Sequence, residues 1–289
     1  MVGAIMQVWH WLRAVFDLAG RVHLGLIAAG VAFFGMFSIF PGLAALIALF
    51  GLVADPEIVG EQLQAMQELI PAEAYVLISD QTNRLLAAQT ETLGLATLIS
   101  IFLAVWAARA GVAALIQGLN AINGKPNRGG LWHYVVALFL TVTLMFICVV
   151  ALLSVVVAPI LLAFLPISAV TAWLLEAVRW AVTFLIMMTG LSVLYRYGPN
   201  RRGDRMRWIT PGAFFVVLVW VVASVGFSYY LTNFGSYNEV YGSIGAVIAM
   251  LMWLYISAYL VLMGAALNVV VFAETAHSSS GSTEAKNIA

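Results

Sequence analysis

Six stretches of this chain are long and apolar enough to cross a lipid bilayer, and that feature limits the folds open to it more than any other. About 20 apolar residues of helix span the hydrocarbon core. Such runs occur near Leu24–Ala54, Thr92–Asn120, Trp132–Ala163, Val170–Tyr197, Ile209–Thr232 and Ser243–Ala273. Charge is correspondingly scarce: of 289 residues 63% are hydrophobic and 9% charged, and the mean hydropathy is +1.01. A soluble domain carries about a quarter charged residues to cover its surface. In hydrocarbon the backbone must satisfy its own hydrogen bonds, which favours helices. The expected fold is therefore all-α, a polytopic membrane helical bundle with about six transmembrane helices and short amphipathic external helices between the first two. Several runs exceed the minimum length, so tilt is expected. Phe164–Ala169, with Pro166 inside it, is short enough to join the third and fourth spans as an antiparallel hairpin.

Loop charges orient the bundle. Arg13 and Arg21 precede the first span, Lys125 and Arg128 share a short loop, and Arg196, Arg201, Arg202, Arg205 and Arg207 gather at another. With six spans all of these fall on one side, and Arg84 is the clear loop cation of the other. Cytoplasmic loops are enriched in Lys and Arg, which predicts cytoplasmic termini. The expected organisation is a cytoplasmic amphipathic lead-in over 1–23, a six-span domain over 24–273 with an external segment over 55–91, and a disordered cytoplasmic tail over 274–289. The lead-in mixes Trp9, His10, Trp11, Arg13, Asp17 and Arg21 with Val8, Leu12, Val15 and Phe16 at near-helical spacing. That mixture lacks the continuous apolar core of a signal peptide and suits either an interfacial helix or an ordinary lead-in to the first span. The segment Asp55–Glu91 carries seven acidic residues against Arg84, and its apolar residues pattern as two helices broken at Pro71. Those helices either cap the bundle mouth or form a lid or partner-docking surface.

Little in the chain suits catalysis. His10, His23, His133 and His277 have no ligand-like spacing, Cys148 is the single cysteine, and no phosphate-binding Gly-rich loop with a lysine is present. Net charge is zero, so no basic field draws nucleic acid. The reading is a non-enzyme with no cofactor and no metal site.

Sparse polar groups inside the apolar spans are more informative. Arg109 lies well within the second span, where an unpartnered cation facing lipid would cost about 3 kcal/mol or more. Glu176 and Arg179 share a face of the fourth span between Trp173 and Trp180, as an interfacial ion pair or as part of a pathway. Asn120 closes the second span and Asn268 sits inside the sixth, where Asn serves as interhelical glue or as a ligand contact. These five are the substrate or pathway candidates. Ser38, Pro41 and Gly42 interrupt the first span, either as a packing kink or as a gating hinge. Gly242, Ser243, Gly245 and Gly264 let neighbouring helices approach the sixth span closely.

Several of these blocks together resemble a known family. The runs Ala32–Pro41 (AFFGMFSIFP), Tyr195–Arg201 (YRYGPNR) and Asn233–Ala246 (NFGSYNEVYGSIGA) are similar to segments of the YihY/BrkB family of bacterial inner-membrane proteins, as are Trp253–Tyr255 and Gly264–Asn268. The resemblance covers most of the chain in the family's order and implies a multi-span inner-membrane protein. Members carry labels as virulence or serum-resistance factors, as ribonuclease BN, and as candidate transporters of lipids or small solutes. The residues here offer the ribonuclease label no metal site, base or basic surface. Where the family commonly has glutamate in a Gly-Ala-Glu-Leu-Asn block, this chain has Ala266, so a mechanism needing that carboxylate does not carry over. Two functions stand as expectations: transport of a lipid or small solute through or along the bundle, and a non-transporting envelope scaffold that binds partners. Membrane lipids are the expected partners, nucleic acid is not, and a homo-oligomer is left open.

Overall fold

The computed structural model describes residues 2–53, 90–152, 169–201, 207–233 and 243–287. Seven helices occupy them: α1 (Val2–Arg21), α2 (Leu24–Val53), α3 (Thr90–Ile122), α4 (Gly130–Leu152), α5 (Ala169–Tyr197), α6 (Pro211–Asn233) and α7 (Ser243–Asn287). Five stretches, one in each of α3 to α7, are long and apolar enough to cross a membrane. A sixth candidate is the bent pair Trp9–Arg21 and Leu24–Ile39, whose halves meet at 66°. The expected all-helical, multi-span architecture is thus observed, with five to six spans. The external segment 55–91, apart from its last two residues, lies outside the described residues, as do the hairpin turn before Ala169, Arg202, Arg205 and Gly242.

The break between α1 and α2 has a local cause. His23 adopts a left-handed backbone with φ of 53°, which ends α1. Its carbonyl then accepts from the Leu26 and Ile27 amides at 3.0 and 3.3 Å, opening the next helix. At Pro41, by contrast, α2 remains helical through Ser38–Gly42. Ser38 Oγ donates to the Gly35 carbonyl at 2.7 Å, one turn before the proline. The last helix, α7, continues to Asn287. Once a helix is nucleated each added residue needs little further ordering, and Glu284, Ala285 and Lys286 are good helix formers.

Contacts divide the chain into two units, Met1–Phe33 with Arg109–Ala289, and Phe34–Ala108. In the second unit Phe102 and Trp106 stack one turn apart on α3, with ring centres 5.9 Å apart, and both are exposed. The first unit holds a core in which α7 is central: Leu262, Met263, Gly264, Ala265, Ala266 and Asn268 are all buried. Val15 and Ala19 of α1, Leu24 and Ala28 of α2, Leu119 of α3, Tyr195 of α5 and Val217 of α6 converge on it. Apolar residues such as Phe139, Phe146, Leu185, Val222 and Val225 are exposed. On a chain of spanning helices that surface is matched to acyl chains. Lipid tails are as apolar as Leu, so burial alone does not drive these helices together; close packing and hydrogen bonds must.

Candidate functional site

Close packing is tightest where α6 begins against α7. Pro211 occupies the first helical position, and Thr210 caps the helix, its Oγ1 accepting from Ala213 N at 3.2 Å. Gly212 N, otherwise an orphan donor of the first turn, donates to Asn268 Oδ1 on α7 at 2.7 Å. Asn268 Nδ2 donates in turn to Thr210 Oγ1 at 3.0 Å, and both residues are fully buried. This approach requires two glycines. A Cβ on Gly212 would stand 1.9 Å from the Gly264 carbonyl oxygen, and one on Gly264 would stand 2.2 Å from Val216 Cγ2. Tyr195 completes the junction from α5, its hydroxyl donating to the Val261 carbonyl at 2.7 Å. Asn268 is therefore engaged as a cap on a neighbouring helix, supplied from within the membrane bundle.

Asn120 organises a second junction, at the ends of α3 and α5. The third helix closes in a left-handed glycine turn: Gly124 has φ of 59°, its amide donates to Ala121 O at 3.1 Å, and Lys125 N donates to Asn120 O at 2.9 Å. The Asn120 side chain then bridges two connections. Its Nδ2 donates to Asn127 Oδ1 at 2.9 Å, and its Oδ1 accepts from Asn200 N at 2.7 Å. Asn200 Nδ2 donates to Pro126 O at 3.0 Å, and Arg201 bonds Asn123 Oδ1. Arg128 finishes the joint. Its guanidinium donates to Tyr197 O at 3.2 Å, Gly198 O at 2.6 Å and Pro199 O at 2.7 Å, so a cation caps the carbonyls at and just beyond the end of α5. Partial burial lowers the pKa of this guanidinium from its usual value, yet an arginine remains cationic.

Arg109 stands near the middle of the apolar stretch Leu98–Ile122 and is half-buried. Among its contacts, the guanidinium carbon lies 4.9 Å from the centre of the Tyr134 ring, a cation–π arrangement. Tyr134 belongs to the opening turns of α4 and is itself exposed. The arginine side chain thus leans toward the end of α3 that faces the α4 start, shortening the depth of its charge. Glu176 and Arg179 form a local cluster on α5: they are ion-paired, Trp180 Nε1 donates to Glu176 Oε1 at 2.8 Å, and Arg179 lies 5.6 Å from the Trp180 ring centre. The structure therefore distributes the five pathway candidates over four places. Asn120 and Asn268 hold helix ends, Glu176 and Arg179 pair with each other, and Arg109 stands apart under Tyr134. Ser243 and Gly245 lie in the first turn of α7.

Sequence reasoning missed Arg128, Asn200, Thr210 and Gly212 as structural determinants. The Tyr-Arg-Tyr-Gly-Pro-Asn-Arg block marked the second junction, but its partners lie about 70 to 80 positions away. Among the described residues no group of three His, Cys, Asp or Glu side chains is placed to hold a metal ion.

Helices of this length and surface, joined by buried helix-end caps, define a polytopic helical membrane protein. Comparison with known proteins gives the family: residues 15–289 match the model of the virulence factor BrkB family, and the chain belongs to it. It is 30% identical to the ribonuclease-like protein YfkH of Bacillus subtilis (strain 168) over 249 residues, covering 84% of this chain and 88% of that one. A UPF0761 membrane protein of Pseudoalteromonas atlantica is 33% identical over 120 residues, 41% of this chain and 40% of the relative. Another, of Tolumonas auensis, is 36% identical over 84 residues, 28% of this chain and 27% of the relative. No solved structure matches the chain.

Proposed function

We propose that this protein moves phospholipid along the flank of its helical bundle, without catalysis, in the bacterial inner membrane. Arg109 is the observation that carries the reading: a half-buried cation near the middle of an apolar span, covered by the exposed ring of Tyr134. A cation held at that depth marks a pathway for polar groups, and the phosphate of a lipid passing between leaflets is the anion a membrane supplies. The exposure of Tyr134 supports access from the lipid side.

In liposomes, the purified protein should accelerate loss of outer-leaflet signal when a fluorescent phospholipid is quenched from outside. Arg109→Gln should reduce that rate at least about tenfold with folded yield retained, and Arg109→Lys should fall between. Absence of accelerated flipping by folded wild-type protein, or full activity in Arg109→Gln, would overturn the proposal and leave the scaffold reading. The accompanying orientation, both termini cytoplasmic, rests on the Arg-rich loops. On a Cys148→Ser background, Glu68→Cys should label from outside intact cells and Gly203→Cys should not. The reverse pattern would invert the topology.

A further inference from the structure

The junction of α1 with the stretch of α7 around residues 269–273 holds a feature that the transport reading does not use. Val15 and Ala19 of α1 are buried in the shared core, while Trp9 and Phe16 are exposed, as expected of a helix lying at a bilayer surface. Beside this contact is an open cleft of about 630 Å³, lined by Leu18, Asp17 and Arg21 of α1 and by Val269, Val270 and Ala273 of α7. Its size falls among ordinary small-ligand clefts, about 300–1,000 Å³. Asp17 and Arg21 are one turn apart on the same face of α1 and both are exposed. No ion pair joins them, or ties either to another described residue. The cleft thus offers one anion and one cation, separated by a helical turn, above apolar walls.

We propose that this cleft binds the headgroup of phosphatidylethanolamine. That headgroup carries a phosphate and a primary ammonium two carbons apart. Arg21 meets the phosphate as a planar donor, and the Asp17 carboxylate accepts from the ammonium N–H groups. The apolar walls from Leu18, Val269 and Val270 receive the glycerol end and the start of the acyl chains. The charge pattern also argues against the other common headgroups. A purely anionic lipid such as phosphatidylglycerol offers Arg21 its phosphate but brings no ammonium for Asp17, whose carboxylate is left unpaired beside a second negative charge. A choline ammonium has no N–H to donate, and the cleft lacks the aromatic side chains that hold quaternary ammonium groups. The site is a resident lipid seat and stands whether or not the bundle moves lipid.

The test is native mass spectrometry of the delipidated full chain, titrated separately with phosphatidylethanolamine, phosphatidylcholine and phosphatidylglycerol of identical acyl chains. Wild-type protein should retain the ethanolamine lipid about two- to fivefold better than either other lipid, the scale of one exposed ion pair. Asp17→Asn should abolish the preference over choline and raise glycerol-lipid binding, while Arg21→Gln should weaken all three. The double exchange Asp17→Arg with Arg21→Asp restores both charges and should recover part of the ethanolamine preference. Both positions are exposed, so the variants should keep the wild-type unfolding temperature, measured alongside. Equal retention of the three lipids by wild type, or an unchanged preference in Asp17→Asn, would overturn the proposal.

Discussion

Replacing Gly212 by alanine should open the junction between α6 and α7, and the coordinates set the size of the effect. The added methyl would fall 1.9 Å from the Gly264 carbonyl oxygen and 2.6 Å from Asn268 Oδ1, both well inside van der Waals contact. One of those atoms is backbone and the other belongs to a side chain held by two hydrogen bonds, so neither can swing aside cheaply. Overpacking in a filled interior costs about 1–3 kcal/mol. Separating the helices enough to relieve it also stretches the Gly212–Asn268 bond, which adds about 1 kcal/mol and leaves a buried donor unsatisfied. The expected destabilisation is about 2–4 kcal/mol. Gly226 is the internal control: it lies on the same helix with nothing within 4 Å of its would-be Cβ. There alanine should stabilise by about 0.5–1 kcal/mol, the usual helix-interior gain. The two variants can be compared by unfolding in mixed micelles with increasing SDS, with detergent size exclusion as a check on folding. If Gly212→Ala unfolds at the same SDS fraction as Gly226→Ala, the inferred close approach of the two helices is wrong.

Arg128→Gln should cost about 1–3 kcal/mol, because it removes the charge-assisted bonds to three consecutive carbonyls at a partly exposed site. Amide hydrogen exchange should rise together in 119–128 and 198–201 and stay unchanged in the middle of α6; a change confined to one of the two segments would refute their coupling. Ala266→Glu should sharply lower folded yield, since the position is fully buried in the core cluster and an unpaired carboxylate there costs several kcal/mol. A wild-type yield in detergent size exclusion would mean that the position has room and a partner for the carboxylate.

The spans were legible because bilayer thickness imposes a length and hydrocarbon imposes a composition, and both can be read along a single chain. The first turn of α5, the α3 end and the α6 start all fall within two residues of the positions expected from the apolar runs. Asn120 and Asn268 were legible as polar groups out of place, but their work was not. Each bonds across a gap in sequence of roughly 60 to 80 positions, to backbone atoms that every residue possesses. Arg128 read as a topology charge for the same reason: nothing in its neighbourhood announces that its partners are the carbonyls of Tyr197, Gly198 and Pro199. At Pro41 the sequence suggested an interruption, whereas the sharp bend was found at Val22–His23. Neither residue is a strong helix breaker, and no local pattern marks the left-handed conformation of His23.

The seat of α1 against α7 has a consequence for how the chain is made. These helices are separated in order by the five others described, so Val15 and Ala19 reach their packing partners around Leu262 and Ala266 only after α7 has been synthesised and inserted. Throughout translation α1 must wait with its apolar face against lipid headgroups, a state that its amphipathic pattern tolerates and a fully polar leader would not. Docking of α1 is thus a closing step with long sequence separation, slow for the same entropic reason that other distant contacts are slow. A chain truncated before α7 would retain several spans and still present an undocked α1, giving the cell's proteases a feature that separates unfinished molecules from finished ones.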